Sequence, residues 1–325
     1  MSITITYIDV KNADRKGQDI SDIVEKFSIS TSINGTAGKC EMSIIGDGSD
    51  FNFGSEMHVF ANGNVVFVGF LFSVSMSDTS RFSAVFYDQT RYLRNSDCIV
   101  YKGVTASGLF GIICGSAGIR MGVVDESEYI LPATVAEGKS YWDIMRDAID
   151  MTAAYEKKLY MVRDNKGALE FRNIENLRTD FVIDDEGIAM GFNYTIGIDQ
   201  GSFNQIKLGI QSGSEIKFGL KYNQDAIDEW GLLQYYQTMK ERITEADMEK
   251  RAEQQLAMLC QPTRELNLEC LGDWRIAAGC GVGVEISSVM AFRGMHNFYV
   301  SSCIHNVTND FHKMSLTLAI NNFGR

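Results

Sequence analysis

The first 95 residues alternate apolar and polar positions with a period of two, in runs such as SITITYIDV, VEKFSISTSI, KCEMSIIG and RFSAVFYD. That period puts every second side chain on one face of a strand, so these runs predict half-buried strands. The stretches between them, NADRKGQD, NGTAGK, GDGSDFNFG and NGN, have the Gly, Asn and Asp content of turns. Asn62 and Gly63 in FANGNVVF predict a two-residue hairpin. A small antiparallel barrel or sandwich is expected here.

From about residue 100 the apolar spacing becomes helical. Thr105 is placed as an N-cap before a stripe of Leu109, Ile112 and Ile113. Ser140, followed three residues later by Asp143, opens a second helix with a stripe of Ile144, Ala148 and Met151. KLYMVRDNKGALEFRN then predicts a hairpin turning at Asp164 to Gly167. After Asp180 strands return in FVIDD, MGFNYTIGI, NQIKLGI and EIKFGLKY, with EWGLLQYYQTMK read as a further strand. One clear helix interrupts them, from Thr244 to a stop before Pro262, with an apolar stripe through Met248, Ala252, Leu256 and Leu259.

The two strand-rich regions resemble each other. KCEMSIIGDGSDFNFGSEMHVF (39–60) parallels ELNLECLGDWRIAAGCGVGVEI (265–286), with Cys40, Met42 and Ile44 opposite Leu266, Leu268 and Cys270, and Gly46-Asp47 opposite Gly272-Asp273. The chain is therefore expected to be α+β and β-rich. Residues 1–97 would form a first antiparallel barrel completed by strands within 181–215, and 98–180 an α+β insert. Residues 181–325 would form a second barrel with a helical insertion at about 244–260. Two similar barrels per chain allow three chains to present six around one axis.

Composition narrows the function classes. The chain has 325 residues, 45% of them hydrophobic, enough for two or three cores. No apolar run of about 18 residues predicts a membrane span, and the start has no secretory pattern, so synthesis and folding in a cytosol are expected. A net charge of −12 argues against nucleic-acid binding, which needs clustered Lys and Arg, and an acidic channel lining would let DNA pass without sticking. Seven scattered cysteines (Cys40, Cys98, Cys114, Cys260, Cys270, Cys280, Cys303) without a C-x-x-C pair read as small buried hydrophobes rather than a disulfide or zinc framework.

Each chemical candidate has a plainer account. GCGVGV (279–284) has the glycines of a phosphate loop, but β-branched and aromatic residues follow it where a helix should start. Its glycines are expected to admit close approach at a strand. His296, His305 and His312 with Cys303 lie within 17 residues yet meet no short zinc spacing. The acids Asp125, Glu126, Glu128, Asp184, Asp185 and Glu186 are read as solvated turns, not as a glycosidase pair. Tyr141, Trp142, Tyr235 and Tyr236 are assigned to core and surface packing rather than a carbohydrate platform. No G-x-S-x-G elbow is present. No catalytic, cofactor-binding or metal residue is expected.

Three stretches carry a resemblance to a known family: YDQTRYLRNSDCIVYKGVTASGLFGIICGSAGI, GKSYWDIMRDAIDMTAAYEKKLYMVRDNKGALEFRN and above all EWGLLQYYQTMKERITEADMEKRAEQQLAMLCQPTRELNLECLGDWRIAAGCGVGVEI. They resemble the baseplate hub proteins of contractile tails, found in prophage-like elements and tail-like bacteriocins. They are more distantly similar to the hub portion of type VI secretion spike proteins. The resemblance implies a structural, non-enzymatic protein without cofactors. It implies a homotrimeric, pseudo-hexameric ring at the end of the tail tube. The partners implied are the inner tail tube protein, a trimeric spike protein, other baseplate proteins and the tape measure protein, with no specific nucleic-acid binding and no stable membrane insertion. Assembly in the bacterial cytoplasm and release in the particle are implied as well. Because the sequence stops at Arg325, a separate spike is expected. The alternative is an accessory cell-wall hydrolase or carbohydrate-binding protein of the same particle.

Overall fold

The computed structural model describes residues 1–76, 80–184, 187–199, 201–212, 215–239, 244–287, 292–308 and 311–319. Asp185 and Glu186, two of the acids singled out above, lie outside them.

The N-terminal region contributes strands β1 (Ile3–Ile8), β2 (Gln18–Asp19), β3 (Val24–Ser32), β4 (Lys39–Ile45), β5 (Glu56–Ala61), β6 (Asn64–Met76) and β7 (Arg81–Tyr87). They lie in the antiparallel order β3-β4-β7-β6-β5-β1-β2. The hairpin between β5 and β6 turns at Asn62 and Gly63, both with positive φ, as the Asn-Gly pair predicts. Alternation sets the core: Cys40, Met42 and Ile44, Met57 and Val59, and Phe82, Ala84 and Phe86 are all buried in one cluster. Burying each larger side chain stabilises the fold by about 1.5–3 kcal/mol.

The insert follows, with β8 (Ser96–Tyr101), α1 (Ala106–Ala117), β9 (Met121–Val124), β10 (Thr134–Ser140), α2 (Tyr141–Glu156), β11 (Tyr160–Asp164) and β12 (Leu169–Asn173). Thr105 Oγ1 accepts from Gly108 N and Gly118 closes α1 in the left-handed conformation, so the expected caps are present. The stripe of α1 differs from expectation: Phe110 and Cys114 join Leu109 and Ile113 inside, while Ile112 is exposed. The reason is that α1 packs against both α2 and β12, which widens its buried face. These elements share one core with Leu131, Ile144, Met145, Ala148 and Phe171.

The remaining strands are β13 (Arg178–Asp184), β14 (Ala189–Gly197), β15 (Gln205–Ser212), β16 (Glu215–Tyr222), β17 (Gln234–Met239), β18 (Thr263–Leu271), β19 (Gly281–Glu285), β20 (His296–Thr308) and β21 (Phe311–Ala319). Between them lie α3 (Gln224–Trp230) and α4 (Glu245–Leu259). The chain divides by packing into Met1–Phe192 with Asn267–Leu318, and Asn193–Leu266 with Ala319 onward. The second unit is the three-stranded sheet β16-β15-β17 with α4 laid on β15 and β16. Met248 and Ala252 of α4 are buried there against Ile206 and Leu208. Helix α3 was not foreseen, because its seven residues QDAIDEW run into a predicted strand and only the Asn223 cap marks it.

The other late strands join the N-terminal ones in a single sheet of thirteen strands. Among the described residues no closed barrel forms, which corrects the expectation of two closed units. Closing the first half would require β3 to meet β1. Instead β3 is held on one side by β4 and on the other by β20.

Candidate assembly edges

The late strands repeat the order of the early ones. The first half reads β3-β4-β7-β6-β5-β1, and the second reads β14-β18-β21-β20-β19-β13. The correspondence extends to individual residues. Buried Phe82, Ala84 and Phe86 of β7 match buried Met314, Leu316 and Leu318 of β21. Buried Met57, Val59 and Ala61 match Val282, Val284 and Ile286 in and just beyond β19. Gly46 N donates to Ser80 O at 2.9 Å, and Gly272 N donates to His312 O at 2.9 Å. One element departs from the pattern: β1 runs antiparallel to β5, whereas β13 runs parallel to β19.

The halves are joined by one strand pairing, β20 against β3, with Ser302 opposite Ser32 and Thr308 opposite Lys26. That joint consumes an edge of each half. Two strand segments have a further strand on one side alone among the described residues. On β6 the pairing with β5 ends at Phe70, and among the described residues no strand lies on that side of Phe72–Met76. At the other end of the sheet β14 is the terminal strand. Both are marked by exposed apolar side chains at positions whose counterparts are buried. Phe27 on β3 is 6% exposed and Phe192, its counterpart on β14, is 44% exposed. His305 on β20 is 4% exposed and Met76, its counterpart on β6, is 64% exposed.

The chemical candidates have structural roles. Gly279 has φ +88°, and a Cβ there would overlap Met161 Sδ; a Cβ on Gly281 or Gly283 would press on Arg178 or on Met295 and Val182. The glycine run therefore fits β19 between β13 and β20. Cys303, His305 and His312 come together in the core, with Trp274 stacked on both rings, while His296 contacts Phe292 and Phe298 elsewhere. His305 Nε2 lies 2.8 Å from Ile276 O, which only accepts, so Nε2 carries the proton. His305 Nδ1 is then the acceptor, and His312 Nε2 donates to it at 2.9 Å. Burial holds both rings neutral, with pKa values pushed down to about 4. The same burial raises the Cys303 thiol. Among the described residues no group of three or more His, Cys, Asp or Glu is arranged to hold a metal ion.

The described candidate acids lie at turns and strand ends, with Glu126 and Glu128 exposed and Asp125 half-buried. Asp125 Oδ2 accepts from Asn173 N at 2.7 Å and Arg172 Nε at 3.1 Å, Glu126 from Ser107 Oγ at 3.3 Å, and Glu128 pairs with Lys158 at 3.1 Å. Asp184 ends β13 and lies against Gly187. Tyr141 OH donates to Asp97 Oδ2 at 2.6 Å, and Trp142 lies against Gly35, whose missing Cβ makes room for the indole. Tyr235 packs against the small core of the second unit, and Tyr236 is exposed. Five of the seven cysteines are buried as expected; Cys260 is half-buried and Cys98 is exposed, because it lies on the outward side of β8.

Sequence reasoning missed a buried carboxyl pair. Asp88 and Asp164 border a cavity of about 30 Å³ with Thr31, Thr90, Trp142 and Arg163. Burial, then repulsion from Asp164, raises Asp88 well above the usual range, and burial lifts Asp164 to about 6. Asp88 caps the turn after β7 by accepting from Thr90 N at 2.9 Å. Only its position after a strand, as in YDQT, hinted at this. Sequence reasoning also missed that AMGFNYTIG becomes the last strand of the sheet among the described residues, although it contains no charged residue or proline.

This β-rich fold, whose two halves repeat one strand order, is one the chain has in common with solved phage tail proteins. Across 99% of both chains the fold matches the 43 kDa tail protein of prophage MuSo2 from Shewanella oneidensis, with a TM-score of 0.72 at 11% identity. It also matches the E. coli c3393 protein, a type VI secretion component described as similar to the T4 bacteriophage tail proteins gp27 and gp5. There the TM-score is 0.59 at 10% identity, covering 98% of this chain and 76% of that one. The chain belongs to the YQBQ-like family, which matches residues 27–319. Its relatives include the phage-like element PBSX protein XkdQ of Bacillus subtilis, 22% identical over 264 residues, 80% of this chain and 79% of the relative.

Proposed function

We propose that this chain is the structural baseplate hub of a contractile tail or tail-like bacteriocin. Three copies form a pseudo-hexameric ring that joins the inner tail tube to a trimeric spike. The observation that carries this reading is the duplicated strand order with the two halves joined inside the chain through β3 and β20. Two similar halves per chain convert a threefold assembly into six similar positions, which is what mating a sixfold tube to a threefold spike requires. In this reading 1–97 and 181–325 supply two barrel-like hub halves, each completed by neighbours in the ring. The insert 98–180 and the helical segment near 244–260 lie outside and meet other baseplate proteins and the tape measure protein. The protein is assembled in the bacterial cytoplasm and leaves within the tail particle. It is not an enzyme; its described candidate acids are held in turns by hydrogen bonds and ion pairs, and its net charge of −12 suits a lumen that does not retain DNA.

The test is mass in solution, by sedimentation or light scattering, with and without the tube and spike proteins. Three copies per complex are expected, and a chain that stays monomeric in the presence of both partners overturns the hub.

A further inference from the structure

We propose that the face of the sheet β16-β15-β17 turned away from α4 is a docking site for an acidic amphipathic helix of another protein. That this helix belongs to another protein of the tail particle rests on the hub reading above. The face and its chemistry do not.

Strand β16 turns its alternation the wrong way for its own core. Its sequence EIKFGLKY sends Lys217, Gly219 and Lys221 toward α4. There Lys217 pairs with Glu245 at 2.5 Å and Lys221 with Glu249 at 3.2 Å, and a Cβ on Gly219 would stand 2.9 Å from Met248. The alternate residues Ile216, Phe218, Leu220 and Tyr222 therefore point away from α4, and they are 46–54% exposed. A half-buried strand ordinarily turns its apolar residues to the core and its charges to water. A slip of one residue would restore that order. Instead β16 keeps eight pairs with β15, from Gln205 opposite Tyr222 to Ser212 opposite Glu215, which fixes the apolar row on the outer face. Tyr236 of β17 adds a fifth apolar group, 47% exposed, with its ring centre 6.4 Å from that of Phe218. The two side chains meet over Gly209, where a Cβ would stand 2.9 Å from the Tyr236 hydroxyl. Apolar patches of this kind on a protein surface mark interaction sites.

Charge says what kind of partner fits. The chain has 42 acids against 30 Lys and Arg, yet among the described residues the register places no carboxylate on this face and one cation, Lys207. Lys207 stands opposite Leu220 on one side and Tyr236 on the other, with its ammonium 4.2 Å from the centre of the Phe218 ring. No described carboxylate pairs with it, whereas both lysines on the inner face have glutamates. That inner face shows what covers such a surface. Helix α4 lays Met248 and Ala252 on the strands and offers Glu245 and Glu249, one turn apart, to the two lysines. A second helix of the same kind would set its apolar stripe on Ile216 to Tyr222 and a carboxylate at Lys207. At 1.5 Å per residue, about 14 residues of helix span the roughly 20 Å of that row. A second copy laid face to face would instead bury two lysines and no carboxylate. A glycan would find aliphatic Ile216 and Leu220, which offer it no hydrogen bond.

Two measurements on the full chain test the face. The first uses a synthetic amphipathic helix of the length of α4, with leucines along one side and glutamates beside them, and a second peptide with lysines in place of the glutamates. Binding is read as fluorescence anisotropy. The glutamate peptide should bind at least about tenfold more tightly than the lysine peptide, and Lys207→Glu should reverse the order. Leu220→Asp changes a side chain that is already exposed, so it should keep the wild-type melting temperature and lose both peptides. Equal binding of the two peptides, or an order that Lys207→Glu leaves unchanged, overturns the proposal. The second measurement uses purified tail particles with a photoreactive benzophenone amino acid in place of Leu220, and mass spectrometry of what it captures. A segment of another protein with an apolar stripe and an acidic flank is expected. No cross-link, or a link to a second copy of this chain or to glycan, overturns the docking site and leaves the hub reading standing. A chain missing from the particles removes the hub reading, while the peptide comparison still decides the face.

Discussion

At the scale of single residues, the core of the second half is set by a polar pair that apolar strands do not ordinarily hold. His305 and His312 are buried against Trp274, and their hydrogen bonds require one fixed tautomer each. Gly272 is what makes this possible, since a Cβ there would stand 2.2 Å from the His312 ring. Both rings have pKa values near 4 in the fold and about 6.5 when unfolded. Between these values the unfolded chain takes up protons that the folded rings refuse, so stability is complete above about pH 6.5 and falls as pH drops toward 4. For His305 the loss amounts to about 3 kcal/mol. Proton NMR of the histidine Cε1–H signals is expected to show two rings that do not titrate above pH 5. A midpoint near 6.5 for either ring would contradict the buried neutral pair. The sequence exposed the four residues as a cluster, but not that three of them meet; Gly272 was legible only as part of a turn.

At the scale of elements, capping chemistry was the most legible feature. Ser140 Oγ accepts from Asp143 N at 3.1 Å and lies 2.6 Å from Asp143 Oδ2, starting α2 where the Ser and Asp spacing predicts. Ser140→Ala is expected to lower stability by about 1 kcal/mol, and Ser140→Asn to restore most of it, read as urea midpoints. An unchanged midpoint in Ser140→Ala would show that tertiary packing alone starts α2. The short helix α3 escaped because seven residues give too few turns for a periodic signal. The α1 stripe was misplaced by one position because the number of neighbours around a helix, not its period, decides how wide its buried face is.

At the scale of the whole molecule, the two units differ in the core each has built. Asn193–Leu266 rests on Ile206, Leu208, Met248 and Ala252, whereas the first unit holds two cores of more than a dozen buried residues each. Fewer buried apolar contacts mean a lower free energy of local opening. Hydrogen exchange should therefore be faster at Ile206–Ile210 and along α4 than at Phe27–Ile29 and Cys40–Ile44. Equal protection in the two regions would mean that the chain opens as one cooperative body.

The sequence by itself determined the strands, the caps of the long helices, the Asn-Gly hairpin and the parallel between 39–60 and 265–286, because alternation, capping and turn chemistry act between residues a few positions apart. Only the tertiary structure decided that β3 turns to β20 rather than to β1. It also decided that three of the four His and Cys candidates share one pocket, and that β14 is the last strand of the sheet among the described residues. These depend on which strands lie side by side after chain separations of more than 200 residues, such as Ser32 with Ser302. Every strand of suitable pattern offers the same backbone hydrogen bonds, so pattern cannot choose among partners. The choice is made by packing of the whole core.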